Sequence, residues 1–167
     1  MAWRSFELRP KGSPPIPPEY RAKIEASRPR LYAIAKEQYD LELKPGPFGL
    51  DSRPALVGAK YAEAQGVGDA YHEAVFKAYW LEGLKIEDRM VLADLATAVG
   101  LEAEAFLAAL ETETYQSAVS FDVAQAYAYG LSGVPALVFS HKYLVSGAQP
   151  YDVLCQVVEQ IAAEDTN

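Results

Sequence analysis

The 167-residue chain is 50% hydrophobic and 11% aromatic, with a formal net charge of −8. This is the composition of a folded chain, and its acid excess argues against nucleic acid and anionic membrane surfaces, which call for clusters of Lys and Arg. A single cysteine, Cys155, excludes an internal disulfide framework and leaves almost no room for a Cys-based zinc site.

The length suits one domain, or one domain carrying an insertion. No apolar run reaches membrane-spanning length. The opening "MAWRSFELRPKGSPPIPPEY" carries Arg4, Glu7 and Arg9 and has no long apolar stretch. It does not read as a signal peptide, so we expect a cytoplasmic protein.

Trp3–Leu8 ("WRSFEL") is short and aromatic and stops at Pro10, Gly12 and Pro14, which predicts a strand. "PKGSPPIPP" is a linker. From Pro18 to about Gly130 the pattern is helical, with Tyr20, Ile24, Leu31 and Ile34 near helical spacing. The basic residues Arg21, Lys23, Arg28 and Arg30 are interleaved with acids and read as a solvated helix face. Pro45, Gly46, Pro47 and Gly49 break the run, and Asp51 or Ser52 can cap a new helix that ends at Gly66. In "DAYHEAVFKAYWLEG", Tyr71, Val75 and Tyr79 share one face and Phe76, Trp80 and Leu84 the next, which predicts a well-buried helix. "EDRMVLADLATAVG" follows, with Gly100 closing it, then "LEAEAFLAALET" and "TYQSAVSFDVAQAYAYG". After Gly133 the period changes. "PALVF" and "YLV" read as a hairpin joined through "SHK", and Pro150 opens a last helix with Val153, Val157 and Ile161 on one ridge.

Few residues suggest chemistry. Cys155 reads as a small, inert residue at the core edge, with no cation within a turn to lower its pKa. His72 and His141 lack ligand partners at metal spacing, so no metal site is expected. His141–Lys142 departs from the Gly, Asn or Asp of a two-residue turn and points to a longer loop. Glu102, Glu104, Glu111 and Glu113 read as solvated helix faces and starts. Tyr71, Phe76, Tyr79, Trp80, Tyr127 and Tyr129 read first as core packing, although they could line a cleft. Gly133, Val134 and Pro135 differ. A proline at the mouth of an apolar strand is poor for sheet pairing and needs a reason, so a function is favoured for these three.

The order strand, helical segment, "GVPALVFSHKYLVSGAQP", helix resembles the DsbA-like thioredoxin-fold proteins. It is nearest the FrnE-type oxidoreductases, with the 2-hydroxychromene-2-carboxylate isomerases as relatives. "WRSFELRP" resembles their second strand and "YHEAVFKAYWLEGLKIEDRMVLADLA" the middle of their helical insertion. The resemblance implies an α/β, thioredoxin-like fold. Residues 1–13 and 129–167 would form its core and 14–128 a large α-helical insertion. It also implies a cis Val134–Pro135 bond whose outward N–H and C=O pair with a peptide, a thiol or glutathione.

The chain departs from that family in having no CxxC, so no catalytic residue can be named. The relatives open with a strand, Cys-Pro-Trp-Cys (in the isomerases a serine-bearing equivalent) and a helix. We therefore expect the first strand and first helix to be absent. Three outcomes stand open for the vacant place in the sheet. Trp3–Leu8 slides in, a second chain pairs in a homodimer, or the natural protein starts further upstream; the last two are favoured. The functional expectation is a DsbA/FrnE-like thiol–disulfide oxidoreductase, truncated and redox-inactive as given, with no cofactor beyond glutathione as co-substrate. The alternatives are a glutathione-dependent isomerase-like enzyme and a non-catalytic peptide-binding or assembly module.

Overall fold

The computed structural model of the chain describes residues 2–44 and 47–164, so Pro45 and Gly46 of the expected break lie outside the described residues. Helix α1 (Pro18–Tyr39) starts on Pro18, where a missing N–H costs nothing. It ends where Asp40 turns left-handed (φ 53°) and Leu41 N–H reaches the Ala35 carbonyl at 3.0 Å. Such an ending satisfies carbonyls that the helix leaves unpaired. The helix forms as its spacing predicts, but only Ala35 is buried, and Tyr20, Leu31 and Tyr39 are exposed.

The core lies in the next five helices: α2 (Arg53–Ala64), α3 (Gly68–Trp80), α4 (Arg89–Ala98), α5 (Ala103–Ala109) and α6 (Glu113–Ala128). Helix α2 is their hub and packs against all four of the others. The Asp51 carboxylate accepts the Arg53 N–H at 2.9 Å and Pro54 lies in the first turn, as expected for this start. Val57, Tyr71, Leu92, Phe106, Leu110 and Val119 are shut off from solvent around α2. Gly58 makes this possible: a Cβ there would lie 2.5 Å from the Tyr71 hydroxyl and 2.6 Å from Phe106 Cζ. Asp88 caps α4 by accepting the Met90 N–H at 2.9 Å, and Gly100 closes that helix at φ 89°.

Helix α3 corrects one expectation. Tyr71 is buried and Val75 half-buried as predicted, but Phe76, Trp80 and Leu84 of the second face are exposed. The stripe is wider than the neighbouring helices can cover.

Strands β1 (Ala136–Phe139) and β2 (Tyr143–Ser146) form the expected antiparallel hairpin, in register Phe139 opposite Tyr143 through Ala136 opposite Ser146. The connection is the longer loop that His141–Lys142 implies. Ser140 and His141 both have positive φ (49° and 57°), and Lys142 N–H donates to the Phe139 carbonyl at 2.9 Å. Helix α7 (Tyr151–Glu164) follows with Ile161 buried and Val153 and Val157 half-buried. Among the described residues the sheet has these two strands alone.

Trp3–Leu8 is therefore not a strand, and it does not slide in beside the hairpin. It lies on the helical unit through alternate residues. Trp3 stacks on His72, Ser5 N–H donates to Asp122 at 2.8 Å, and Glu7 pairs with Arg53 at 2.8 Å. A ladder needs a neighbouring strand; in its absence the buried polar groups of the segment are satisfied by helix side chains.

Candidate functional site

Helix α6 ends at Gly130 (φ 74°), and the chain runs through Gly133, Val134 and Pro135 into β1. The Val134–Pro135 peptide bond is cis. The Pro135 carbonyl accepts the Gly147 N–H at 2.9 Å, which extends the hairpin pairing one step past Ala136. Val134 is 55% exposed, and among the described residues no hydrogen bond reaches its backbone N–H or C=O. Nothing lies within 4 Å of where a Gly133 Cβ would be. The three residues thus present a bare, open stretch of backbone beside a paired strand, able to accept an extended chain as one more strand. No titratable side chain belongs to this stretch, so acid–base chemistry would have to come from elsewhere.

The C-terminal end of α6 is aromatic. Phe6 meets Tyr127 of α6 edge-on, with ring centroids 6.0 Å apart. The Tyr129 hydroxyl lies 3.3 Å from His141 Nδ1 and ties the end of α6 to the hairpin turn. His141 is exposed. Of the other aromatic candidates, Tyr71 is core, Tyr79 packs edge-on against Trp80, and Phe76, Trp80 and Tyr127 are exposed.

Cys155 is half-buried on α7 and unpaired, so the 167 residues hold no dithiol. No group of three His, Cys, Asp or Glu side chains that could hold a metal occurs among the described residues. The glutamates have structural places. Glu102 precedes α5 and Glu104 lies in its first turn, Glu113 accepts from Ser117 in α6, and Glu111 pairs with Arg89.

The sequence reading missed a buried charge cluster. Lys60 and Asp122 pair at 2.7 Å, with side chains only 8% and 2% exposed. Asp122 also accepts the Ser5 N–H, and Lys60 reaches Glu63 at 3.1 Å. Arg53 joins Glu7 to α6 by donating to the Gln116 side chain (3.0 Å) and carbonyl (3.2 Å) and to the Ser120 hydroxyl (2.9 Å). The available signal was a charge at core spacing: Asp122 falls in the Val119–Ala126 ridge of α6. Burying such charges is tolerable because each has a partner.

Residues 1–159 match the DSBA-like thioredoxin domain family. The chain belongs to that family. The DsbA-like chain is 30% identical over 160 residues to the uncharacterized protein YwbO of Bacillus subtilis (strain 168), covering 92% of this chain and 78% of YwbO. Its structure is similar to that of the probable DsbA oxidoreductase SCO1869 of Streptomyces coelicolor (TM-score 0.80, 26% identity, 96% of this chain and 74% of the other). A 2-hydroxychromene-2-carboxylate isomerase shares the fold (TM-score 0.74, 20% identity, 87% and 70% covered). The cytosolic disulfide reductase DsbM of Pseudomonas aeruginosa, in a structure with GSH, matches at TM-score 0.53 and 25% identity (70% and 61% covered). The fold is thus α/β and thioredoxin-like with a helical insertion. Among the described residues no helix is long and apolar enough to cross a membrane.

Proposed function

We propose that Gly133, Val134 and Pro135 form the substrate-facing loop of a DsbA-like thiol–disulfide oxidoreductase, where the Val134 N–H and C=O pair with an extended peptide or with glutathione. The observation that carries this reading is the exposed, unpaired Val134 backbone next to the Pro135–Gly147 hydrogen bond. The family match and the GSH in the DsbM structure support it. Dithiol exchange needs an attacking thiolate and a resolving thiol, and Cys155 is the one thiol here. In this reading the 167 residues hold substrate and are inactive in redox exchange by themselves. The division into a core of 1–13 with 129–167 and an insertion of 14–128 belongs to the same reading. So do a cytoplasmic location and a homodimer that completes the two-stranded sheet. The open strand edges support the dimer, since an isolated hairpin is marginal in water.

Backbone amide NMR during titration with glutathione, and separately with an extended thiol-containing peptide, tests the loop. The Val134 amide should shift. Val134→Pro, which removes the donor, should weaken binding by up to about tenfold, the worth of one net hydrogen bond. Val134→Ala, which keeps the donor, should bind as the parent does. Shifts confined to other regions, or binding indifferent to Val134→Pro, would sink the proposal. Glutathione binding without peptide binding would move the loop to the isomerase-type use. Insulin reduction by the 167-residue chain should not exceed the uncatalysed rate.

A further inference from the structure

Helix α3 carries an aromatic face that the helical core does not use. The His72 ring lies between those of Trp3 and Phe76, with centroids 3.9 Å and 4.4 Å away. Trp80 continues the line one turn further along. Trp3, Phe76 and Trp80 are 44%, 52% and 39% exposed. A cleft of about 260 Å³ opens beside this stack, bounded by Trp3, His72, Arg4, Glu63, Gly68 and Asp69.

The free charge at the cleft is negative. Arg4 is engaged with Asp122 at 3.5 Å, and Glu63 with Lys60 at 3.1 Å. The Asp69 carboxylate is exposed and has no hydrogen bond or ion pair among the described residues, and the same holds for the Glu73 carboxylate one turn along. Burial lowers the His72 pKa from its ordinary value, against the opposing pull of Asp69. A guanidinium or ammonium group suits this combination. It is attracted by the face of an indole and by a free carboxylate at once, and Arg in particular stacks on aromatic planes.

We propose that the cleft and the α3 stripe dock an extended basic polypeptide segment, with a cationic side chain between Trp3 and Asp69 and apolar side chains along Phe76 and Trp80. The site is separate from the Gly133–Pro135 loop and stands or falls independently of it.

The chain has two tryptophans, Trp3 and Trp80, and both lie on this surface, so their emission reports occupancy directly. The full chain is titrated with a ten-residue peptide of alternating Gly, Arg and Phe, and with the same peptide carrying Glu for Arg. The Arg peptide should shift the emission and bind at least about tenfold more tightly than the Glu peptide, with its affinity falling as salt rises. Asp69→Asn and Phe76→Ser should each weaken it about fivefold, as loss of one exposed charge or aromatic contact does. Both replaced side chains are exposed, so both variants should fold. Val134→Pro should leave this binding unchanged while weakening the loop's own by up to about tenfold. Equal affinity for the two peptides would overturn the proposal, as would binding that Asp69→Asn and Phe76→Ser both leave intact.

Discussion

Between α2 and α6, six large side chains are closed off from water, whereas from Ala136 to Glu164 the one buried side chain among the described residues is Ile161. The helical unit holds itself together by interlocked apolar surface around Gly58. The hairpin end is held by backbone pairing and a half-buried ridge of α7. Stability and exposed binding backbone are thus divided between the two regions. A loop that must receive a partner belongs where opening is cheap, and a rigid body beside it gives it a fixed place.

The contrast can be broken first by a matched pair of truncations. Phe106→Ala should cost about 4 kcal/mol in urea unfolding, the scale for emptying a buried aromatic site. Leu144→Ala, at a residue 43% exposed, should cost less than about 1 kcal/mol. Equal losses would mean that the hairpin is as tightly built as the helices.

Next in size is the junction between the N-terminal segment and the helical unit. Lys60→Met leaves the Asp122 carboxylate, which is 2% exposed, with the Ser5 N–H and Arg4 alone as partners, and should cost about 3 kcal/mol. Adding Asp122→Leu should restore only part of that loss, because it removes the unpaired charge but leaves the buried Ser5 N–H without its acceptor. If the double variant is worse than either single one, the pair contributes more than charge compensation.

The smallest effect sharpens the account of the core. The Tyr71 hydroxyl is buried with no hydrogen-bond partner among the described residues, so Tyr71→Phe should be neutral or stabilising by about 0.5–1 kcal/mol at pH 7. Burial holds this hydroxyl above the ordinary tyrosine range. With the folded-state value above the unfolded one, its contribution is complete below about pH 10 and is lost as pH rises further. Urea midpoints at pH 8 and pH 11 should therefore differ less in Tyr71→Phe than in the parent.

The helices, the hairpin and their order were legible because hydrophobic period and Gly or Pro punctuation are local signals. The start at Asp51 and the stops at Gly66 and Gly100 follow from that chemistry. Trp3–Leu8 was misread because strand propensity describes a residue's fitness for a ladder and says nothing of whether a neighbouring strand exists. The exposure of Phe76 and Trp80 was hidden for a similar reason: a helix's own pattern does not reveal how many faces its neighbours cover. Val134 and Pro135 stood out because proline before a strand is locally anomalous. The Lys60–Asp122 pair did not, because its partners are far apart in sequence and each looks like an ordinary surface charge unless its place in the helical period is counted.

The lone thiol turns the weaker region into its own reporter. Cys155 sits half-buried on α7, away from the helical core, and nothing else in the chain competes for a thiol reagent. The rate at which a maleimide reaches it measures the breathing of α7 alone, in the unaltered sequence. Slowing of that reaction by a bound partner would be a footprint of whatever settles on the hairpin end.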